Sequence, residues 1–439
     1  MARELALTIV VWMAILLGLG GGVWLYFFMR FPMPALRKVR SLWLRGQHTE
    51  SHELVCKLIP RIEERRDYRN LATARLWMAA YAWENELTKV MAEQSRRAVD
   101  EAIAMGKPWQ QLWADIAYGL ALVAIGRFED ARKPLENAEL MTTTMNAPRP
   151  RMFIRTGLGW SHWVTGNRAM ATDYAKAAGA DVGRYPELAY QHPRLLLELG
   201  HLCFELGLWD EALLRLDETQ AHAPEGSLIR TRALLFHARI DLERGEFDRA
   251  VEILEKGLRG LPQDSSELRG WHHFYLSRIH HLAAQPQPAR LSLEQARMEA
   301  ARADVPDLSC MVGLALTRQL RSQKQHTQAR EILLRIQVEL LSEEPGPLLA
   351  QTLLAWGEWF LDQGDDREAF AHFRLADRLL SGLDQATIDP DLPYRLALLH
   401  HRMGLLPEGI RYEQEGDALR RRLGIRRPAP IRRGVIQAA

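Results

Sequence analysis

Apolar positions along this chain follow two patterns. Leu5 to Met29 is an unbroken apolar run without a charged residue, bounded by Glu4 and Arg30. Beyond it, apolar residues recur at helical spacing in segments separated by a turn slot that returns about every 40 residues: Gly46, Leu87, Gly126, Gly166, Gly207, Gly245, Ala284, Lys324, Gly364 and Gly404. A fixed period between about 20 and 50 residues predicts stacked units that share one continuous core. A single compact core would be unusually large for 439 residues, and repetition removes that difficulty.

Within a unit the pattern is specific. One unit reads Leu196, Leu199-Gly200, Cys203, Gly207, Trp209, Ala212, Leu216 and Pro224; the next has Leu234, Ala238, Gly245, Phe247, Ala250, Leu254, Gly257 and Pro262; a later one has Leu353, Trp356-Gly357, Phe360, Gly364, Ala369, Phe373 and Ala376. Large residues fill the space between two helices of a hairpin, and a small residue at Gly200 or Gly357 permits close approach. The slot glycines are expected to end the first helix. Ala131, Ala171, Ala212, Ala250, Ala289, Ala329 and Ala369 mark tight packing on the second helix, which Pro224 and Pro262 end.

This pattern resembles the tetratricopeptide repeat, W-x-x-L-G-x-x-Y followed by a small residue, an aromatic residue and a proline. The resemblance covers residues 32–420 in about ten units. It implies an all-α fold, a right-handed superhelical α-solenoid of helical hairpins. Units near Gly270 and Cys310 are degenerate, with Pro286 and Lys324 in turn slots, and the edges at Thr49–Leu58 and Gly409–Gly416 are weak. The family period is about 34 residues, so each unit here carries extra residues, placed in longer helices or longer inter-unit loops.

The family's concave face binds peptides or partner helices. Carrying over its ninth position gives Leu120, Trp160, His201, Arg239, Arg278, Arg318, Glu358 and Leu398. Nearby positions add Arg194, Arg232 and Arg321, and Trp113, Phe153, Trp163, Trp271 and Phe274 supply aromatic surface. Arginine forks hold carboxylates and aromatic side chains anchor partners, so the expected ligand is a protein or peptide with an acidic or C-terminal segment. The alternative is that these arginines are solvated or pair with Glu205, Glu243 and Glu246.

The run from Leu5 to Met29 is long enough to cross a hydrocarbon layer of about 30 Å. It lacks the shorter apolar core and small-residue cleavage site of a secretory signal. Residues 5–29 are therefore expected to be a retained transmembrane helix, preceded by a flank at 1–4 and followed by a basic juxtamembrane segment at 30–45 that leads into the repeats. Arg30, Arg37, Lys38, Arg40 and Arg45 outweigh Arg3, which places the solenoid in the cytoplasm of a bacterial inner-membrane protein; a periplasmic domain is the alternative. Ala14, Gly18 and Gly22 share one helix face and suggest helix pairing or homo-oligomerisation in the membrane.

Charge adds little in bulk: 57 basic and 55 acidic residues give no reason to expect nucleic acid as partner. Residues 421–439 form a basic tail, expected to be disordered; with Arg420 before it, the cluster Arg421, Arg422, Arg426, Arg427, Arg432 and Arg433 could touch anionic lipid. Cys56, Cys203 and Cys310 make no paired motif, and the pairs His272-His273, His280-His281 and His400-His401 lack the further ligands of a metal site. No P-loop, nucleophile elbow or dinucleotide fingerprint is present. The expectation is a scaffold or adaptor without catalytic residues, metal or cofactor, anchored in the membrane and serving cell-envelope protein or polysaccharide assembly. Alternatives are an assembly factor or chaperone for secreted clients and a regulatory subunit of a membrane enzyme. The resemblance to anchored envelope adaptors is architectural, because the cysteines of the metal knuckle that one of them carries are missing here.

Overall fold

The computed structural model describes residues 33–262, 264–340, 346–382 and 391–425. They fall into two compact units, one ending at Leu158 and one beginning at Gly159. The first contains α1 (Met33–Leu44), α2 (His48–Glu64), α3 (Tyr68–Glu84), α4 (Thr88–Ala104), α5 (Pro108–Ala124), α6 (Phe128–Thr144) and the start of α7 (Arg151–Val164). The second continues with α8 (Arg168–Arg184), the short α9 (Pro186–Ala189), α10 (Pro193–Glu205), α11 (Trp209–His222), α12 (Leu228–Arg244), α13 (Phe247–Gly260) and α14 (Ser266–Leu282). It then holds α15 (Pro286–Ala303), α16 (Pro306–Ser322), α17 (His326–Leu340), α18 (Pro347–Asp362), α19 (Asp366–Gly382), α20 (Leu392–Arg402) and α21 (Leu406–Leu423). Apart from α9, the helices pair in sequence as antiparallel hairpins, the arrangement of an all-α helical-repeat solenoid.

The period has a simple physical origin. Helices of 17 residues, such as α2 to α6, alternate with short turns. Each turn contains a residue with positive φ, at Gly46, Arg66, Glu86, Gly106, Gly126, Asn146 and Gly166. The 40-residue repeat is thus two helix-plus-turn steps of about 20. The extra length relative to the family period lies in the helices rather than in loops. At these turns the left-handed residue donates to the carbonyl three positions back and the next residue to the carbonyl five back, as in Gly126 N to Val123 O at 3.0 Å and Arg127 N to Leu122 O at 2.8 Å. Two carbonyls orphaned by the helix end are satisfied in this way.

The slot expected at Leu87 belongs one residue earlier. Glu86 has the positive φ of 60°, and Leu87 is the N-cap of α4. Likewise Pro286 is not a turn residue but opens α15, while Ala284 takes the left-handed conformation. Ala131, Ala171, Ala212, Ala250, Ala329 and Ala369 have no exposed surface, as their packing role requires. Pro224 and Pro262 lie just beyond the caps of α11 and α13.

In the first unit, Leu36, Val39, Val55, Ile59, Ile62 and Leu71 bury the contact among α1, α2 and α3. A buried Arg75 on α3 ties three helices together through Glu63 of α2 at 2.5 Å and Glu101 and Gln94 of α4, both at 2.8 Å. In the second unit the apolar faces of α12 to α16 form one cluster around Phe274, and those of α18 to α21 form another around Phe373. Gly357 of α18 shows what the small slot is for: a Cβ there would lie 2.5 Å from the Phe373 ring of α19, so a side chain, not a neighbouring backbone, fills the space.

Membrane location requires correction. Among the described residues no helix is long and apolar enough to cross a membrane. The expected span at 5–29, its packing face Ala14, Gly18 and Gly22, and the flank at 1–4 lie outside the described residues, and nothing in the described residues supports an inner-membrane protein. The basic segment at 30–45 is largely helical, since residues 33–44 form α1. The tail also begins later than 421: Arg421 and Arg422 belong to the last turn of α21, which ends at Leu423 and is capped by Gly424 at φ 67°. Arg420 is buried and donates to Asp391 at 2.5 Å, so it is no part of a solvated arm. Residues 426–439 lie outside the described residues.

Two glycine roles are separable by substitution. Gly364 has φ 76° and nothing within 4 Å of an added Cβ, so Gly364→Ala is expected to lose about 1 kcal/mol through backbone strain alone. Gly357→Ala is expected to lose about 1–3 kcal/mol by overpacking, part of which Phe373→Leu should restore. Urea unfolding of the three variants measures both, and no rescue by Phe373→Leu would rule out the packing explanation.

Candidate functional site

The ninth-position side chains come together best in the second unit. Arg278 of α14, Arg318 of α16, Glu358 of α18 and Leu398 of α20 all line one cavity of about 780 Å³. The helix period explains this, because hairpins of nearly equal length return the same face of each first helix to the same side. Leu314, Ala315, Leu354 and Ala355 give the cavity an apolar wall, and charged side chains enter from all four helices.

Most of the charges are paired across neighbouring first helices. Arg278 reaches Glu243 of α12 at 3.2 Å. Arg321 bonds Glu358 through its side chain, donates to the Glu358 carbonyl at 3.0 Å and to Asp362 at 2.6 Å. Arg395 of α20 approaches Glu358 at 3.0 Å from the other side. Asp391, at the cavity edge, accepts from the buried Arg420. Glu358 is thus the hub. Burial alone would raise its pKa, but the guanidinium groups of Arg395, Arg318 and Arg321 outweigh burial and hold the carboxyl down at about 2.

Arg318 differs from its neighbours. Among the described residues it has no carboxylate within ion-pair distance, and its side chain is exposed to the water of the cavity. Protein nevertheless surrounds it at longer range. Desolvation, opposed by Glu358 and reinforced by Arg278, Arg395 and Arg321, lowers its pKa from the ordinary arginine value. Of the four arginines lining the cavity, it is the one not engaged in an ion pair among the described residues.

The other expected groove residues have different surroundings. Arg239 stacks on Phe204 at 4.3 Å and on Tyr275 at 5.3 Å, and approaches Glu205 at 3.7 Å. Arg232 reaches Glu267 at 3.3 Å, and Arg194 reaches Glu198 of its own helix at 2.6 Å. Pairing with Glu205 and Glu243 therefore accounts for Arg239 and Arg278, as the alternative reading had it, but not for Arg318. Trp160 and Trp163 are buried packing residues rather than exposed anchors, whereas Phe274, almost fully buried in the core, also lines the cavity. Trp160 donates its indole N–H to the Glu198 carbonyl at 3.2 Å, and Trp271 is half-buried against Phe274 and Tyr275.

Among the described residues no group of three or more His, Cys, Asp or Glu side chains is arranged to hold a metal ion. His272 and His400 are buried and bond through Nδ1 to the carbonyls of Leu268 and Leu396, both at 2.7 Å; burial pushes His272 down to about 4. His281 lines the cavity, whereas His280 turns to the Gln285 side chain at 2.7 Å. Arg395 escaped the sequence reading. It lies one turn before the ninth position on α20, and reading that offset as well would have found it.

No protein-family model matches the chain, and no curated protein matches it. Solved structures do. The apo form of the quorum sensor NprR from B. thuringiensis superposes with a TM-score of 0.58 at 13% identity, over 79% of this chain and 98% of that one. A Rap protein complexed with Competence and Sporulation Factor gives 0.62 at 11% identity, over 80% and 98%. NprR in complex with its cognate peptide NprX gives 0.52 at 13% identity, over 80% and 99%. These likenesses establish the shared helical-repeat fold.

The charge hub has a measurable consequence. Glu358→Gln leaves Arg318, Arg321 and Arg395 without their common counter-charge and is expected to cost about 2–3 kcal/mol at neutral pH. The depressed folded pKa means that this stabilisation is fully present above the ordinary value of 4.5 and is lost as pH falls toward 2. Urea unfolding should therefore show a wild-type advantage at pH 7 that shrinks on acidification below 4.5; an advantage independent of pH would contradict the ionised hub.

Proposed function

We propose that this chain is a non-enzymatic helical-repeat protein that captures a peptide or an extended protein segment in the cavity of α14, α16, α18 and α20. The observation that carries this reading is the cavity itself. Its volume of about 780 Å³ is open, walled on one side by aliphatic residues and supplied with fixed charges by four successive hairpins. Such a surface suits a ligand with apolar side chains and a small number of ionised groups. Among the described residues the hydroxyls lining the cavity, Thr317 and Ser322, donate to the Gly313 and Gln319 carbonyls of their own helix, and Cys310 is buried in the packing between α16 and α17.

The fold likeness is consistent with this use. NprR is described in complex with its cognate peptide NprX, and a Rap protein in complex with Competence and Sporulation Factor. Preformed cavities of this kind need little rearrangement, so ligand binding draws on arginines already held in place by Glu358 and Asp362. The bound segment then links this protein to whatever carries it, which is the action of an adaptor.

Filling the cavity tests the reading. Ala355→Trp, or Gln351→Trp should the first variant fold poorly, is expected to lower retention of short random peptides on the immobilised protein by at least about tenfold while far-UV circular dichroism and the melting curve stay near wild type. Unchanged retention by a folded variant would show that the peptides bind elsewhere.

A further inference from the structure

We propose that Arg318 and His281 together form a subsite for one carboxylate of the bound segment, and that seating the carboxylate places a proton on His281. This rests on the cavity being the peptide site. Three of the four cavity arginines are already committed. Arg278 is taken by Glu243, and Arg321 and Arg395 by Glu358 and Asp362. Arg318 and His281 line the same cavity from adjacent first helices, and among the described residues neither side chain is in a hydrogen bond or ion pair.

Charge balance selects the ligand's anion. The cavity acids Glu243, Glu358, Asp362 and Asp391 face its four arginines and Arg420, which holds Asp391, so one positive charge is left over, enough for a monoanion rather than a dianion. A phosphate seated on Arg318 would also face Glu358 with its second charge. A carboxylate needs one fixed guanidinium and one further donor, which Arg318 and a protonated His281 supply.

The surroundings of His281 explain the proton. Arg318 from α16, Glu358 from α18, Glu243 from α12 and Arg278 of its own helix share the cavity with it. Burial, together with the charge of Arg318, lowers the pKa of His281, and Glu358 only partly offsets this. A carboxylate on Arg318 cancels the repulsion and adds an opposite charge beside the ring, so the bound state favours imidazolium. A group that gains protons on binding strengthens binding at low pH, and that gain is lost as pH rises through its bound-state pKa. Each unit of pKa rise on His281 corresponds to about tenfold in affinity.

Three pools of short random peptides separate the outcomes: one with a free C-terminal carboxylate and no Asp or Glu, one amidated at the C-terminus and containing Asp and Glu, and one amidated and free of acids. Binding to the full chain is measured by titration calorimetry at about pH 5.5 and about pH 8, where peptide carboxylates stay ionised. Wild type is expected to bind one or both acid-bearing pools about tenfold more weakly at the higher pH, and the acid-free pool with no such dependence. Arg318→Gln should abolish the preference for acid-bearing peptides. His281→Gln should keep part of that preference and lose its pH dependence. Which pool responds distinguishes a terminal from a side-chain carboxylate. Peptide binding that Ala355→Trp removes, but that ignores Arg318→Gln and peptide amidation, overturns the carboxylate subsite and leaves the peptide cavity standing. Undiminished pH dependence in His281→Gln overturns the proton's assignment. Binding that survives Ala355→Trp overturns both.

Discussion

The helix-ending turn is the constraint on which the rest of this structure depends. A left-handed residue at the end of a 17-residue helix returns the chain within three residues and uses the last helix carbonyls as acceptors. In the first unit, repetition at steps of about 20 keeps α2 to α6 at 17 residues each. In the second, helix lengths vary, with 17 residues in α14 and 11 in α20, but the hairpins keep their 40-residue step from Arg278 to Arg318, Glu358 and Leu398, so a given position of one first helix lies beside its counterpart on the next. The cavity lined by Arg278, Arg318, Glu358 and Leu398 follows from that register, since a shift of a single residue in one helix would rotate its side chain by about 100° out of the row.

Register also accounts for the electrostatics. Side chains that lie beside each other on successive first helices pair one repeat apart, as in Arg278 with Glu243, Arg239 with Glu205 and Arg321 with Glu358. Individually such partly exposed pairs stabilise by little, on the order of 1 kcal/mol or less. Their larger effect is to hold long, flexible side chains in place around an open cavity. Glu358 does this for two arginines by direct contact and for Arg318 through space, which leaves one cation available without leaving the cavity strongly charged.

Packing and the cavity are largely divided between the faces of the first helices. Trp160 and Trp163, which are large and aromatic, are taken into the core, where edge-to-face contacts such as theirs at 5.5 Å add to burial. Apart from Phe274, which serves both core and cavity, the cavity receives aliphatic residues, Met311 and polar or charged groups. Ala315 and Ala355 leave room there that an aromatic residue would occupy.

The sequence by itself determined the helical hairpins, their period, the small residue at Gly357 and the buried alanines, because these depend on local backbone geometry and on a periodic apolar face. It also placed Arg278, Arg318 and Arg321 on one face, and all three line the cavity. It misassigned the turn at Leu87 by one residue, since Glu86 carries no glycine signal for its left-handed backbone, and it did not separate the buried Trp160 and Trp163 from the cavity-lining Phe274, since an aromatic side chain on the boundary between two faces reads the same in either role. Only the tertiary structure decided which arginines are already neutralised. Whether Arg318 meets a carboxylate, or Arg395 joins the Glu358 hub, depends on side chains brought together from helices about 40 residues apart, and the strength of an ionic contact depends on those distances and on burial rather than on residue type.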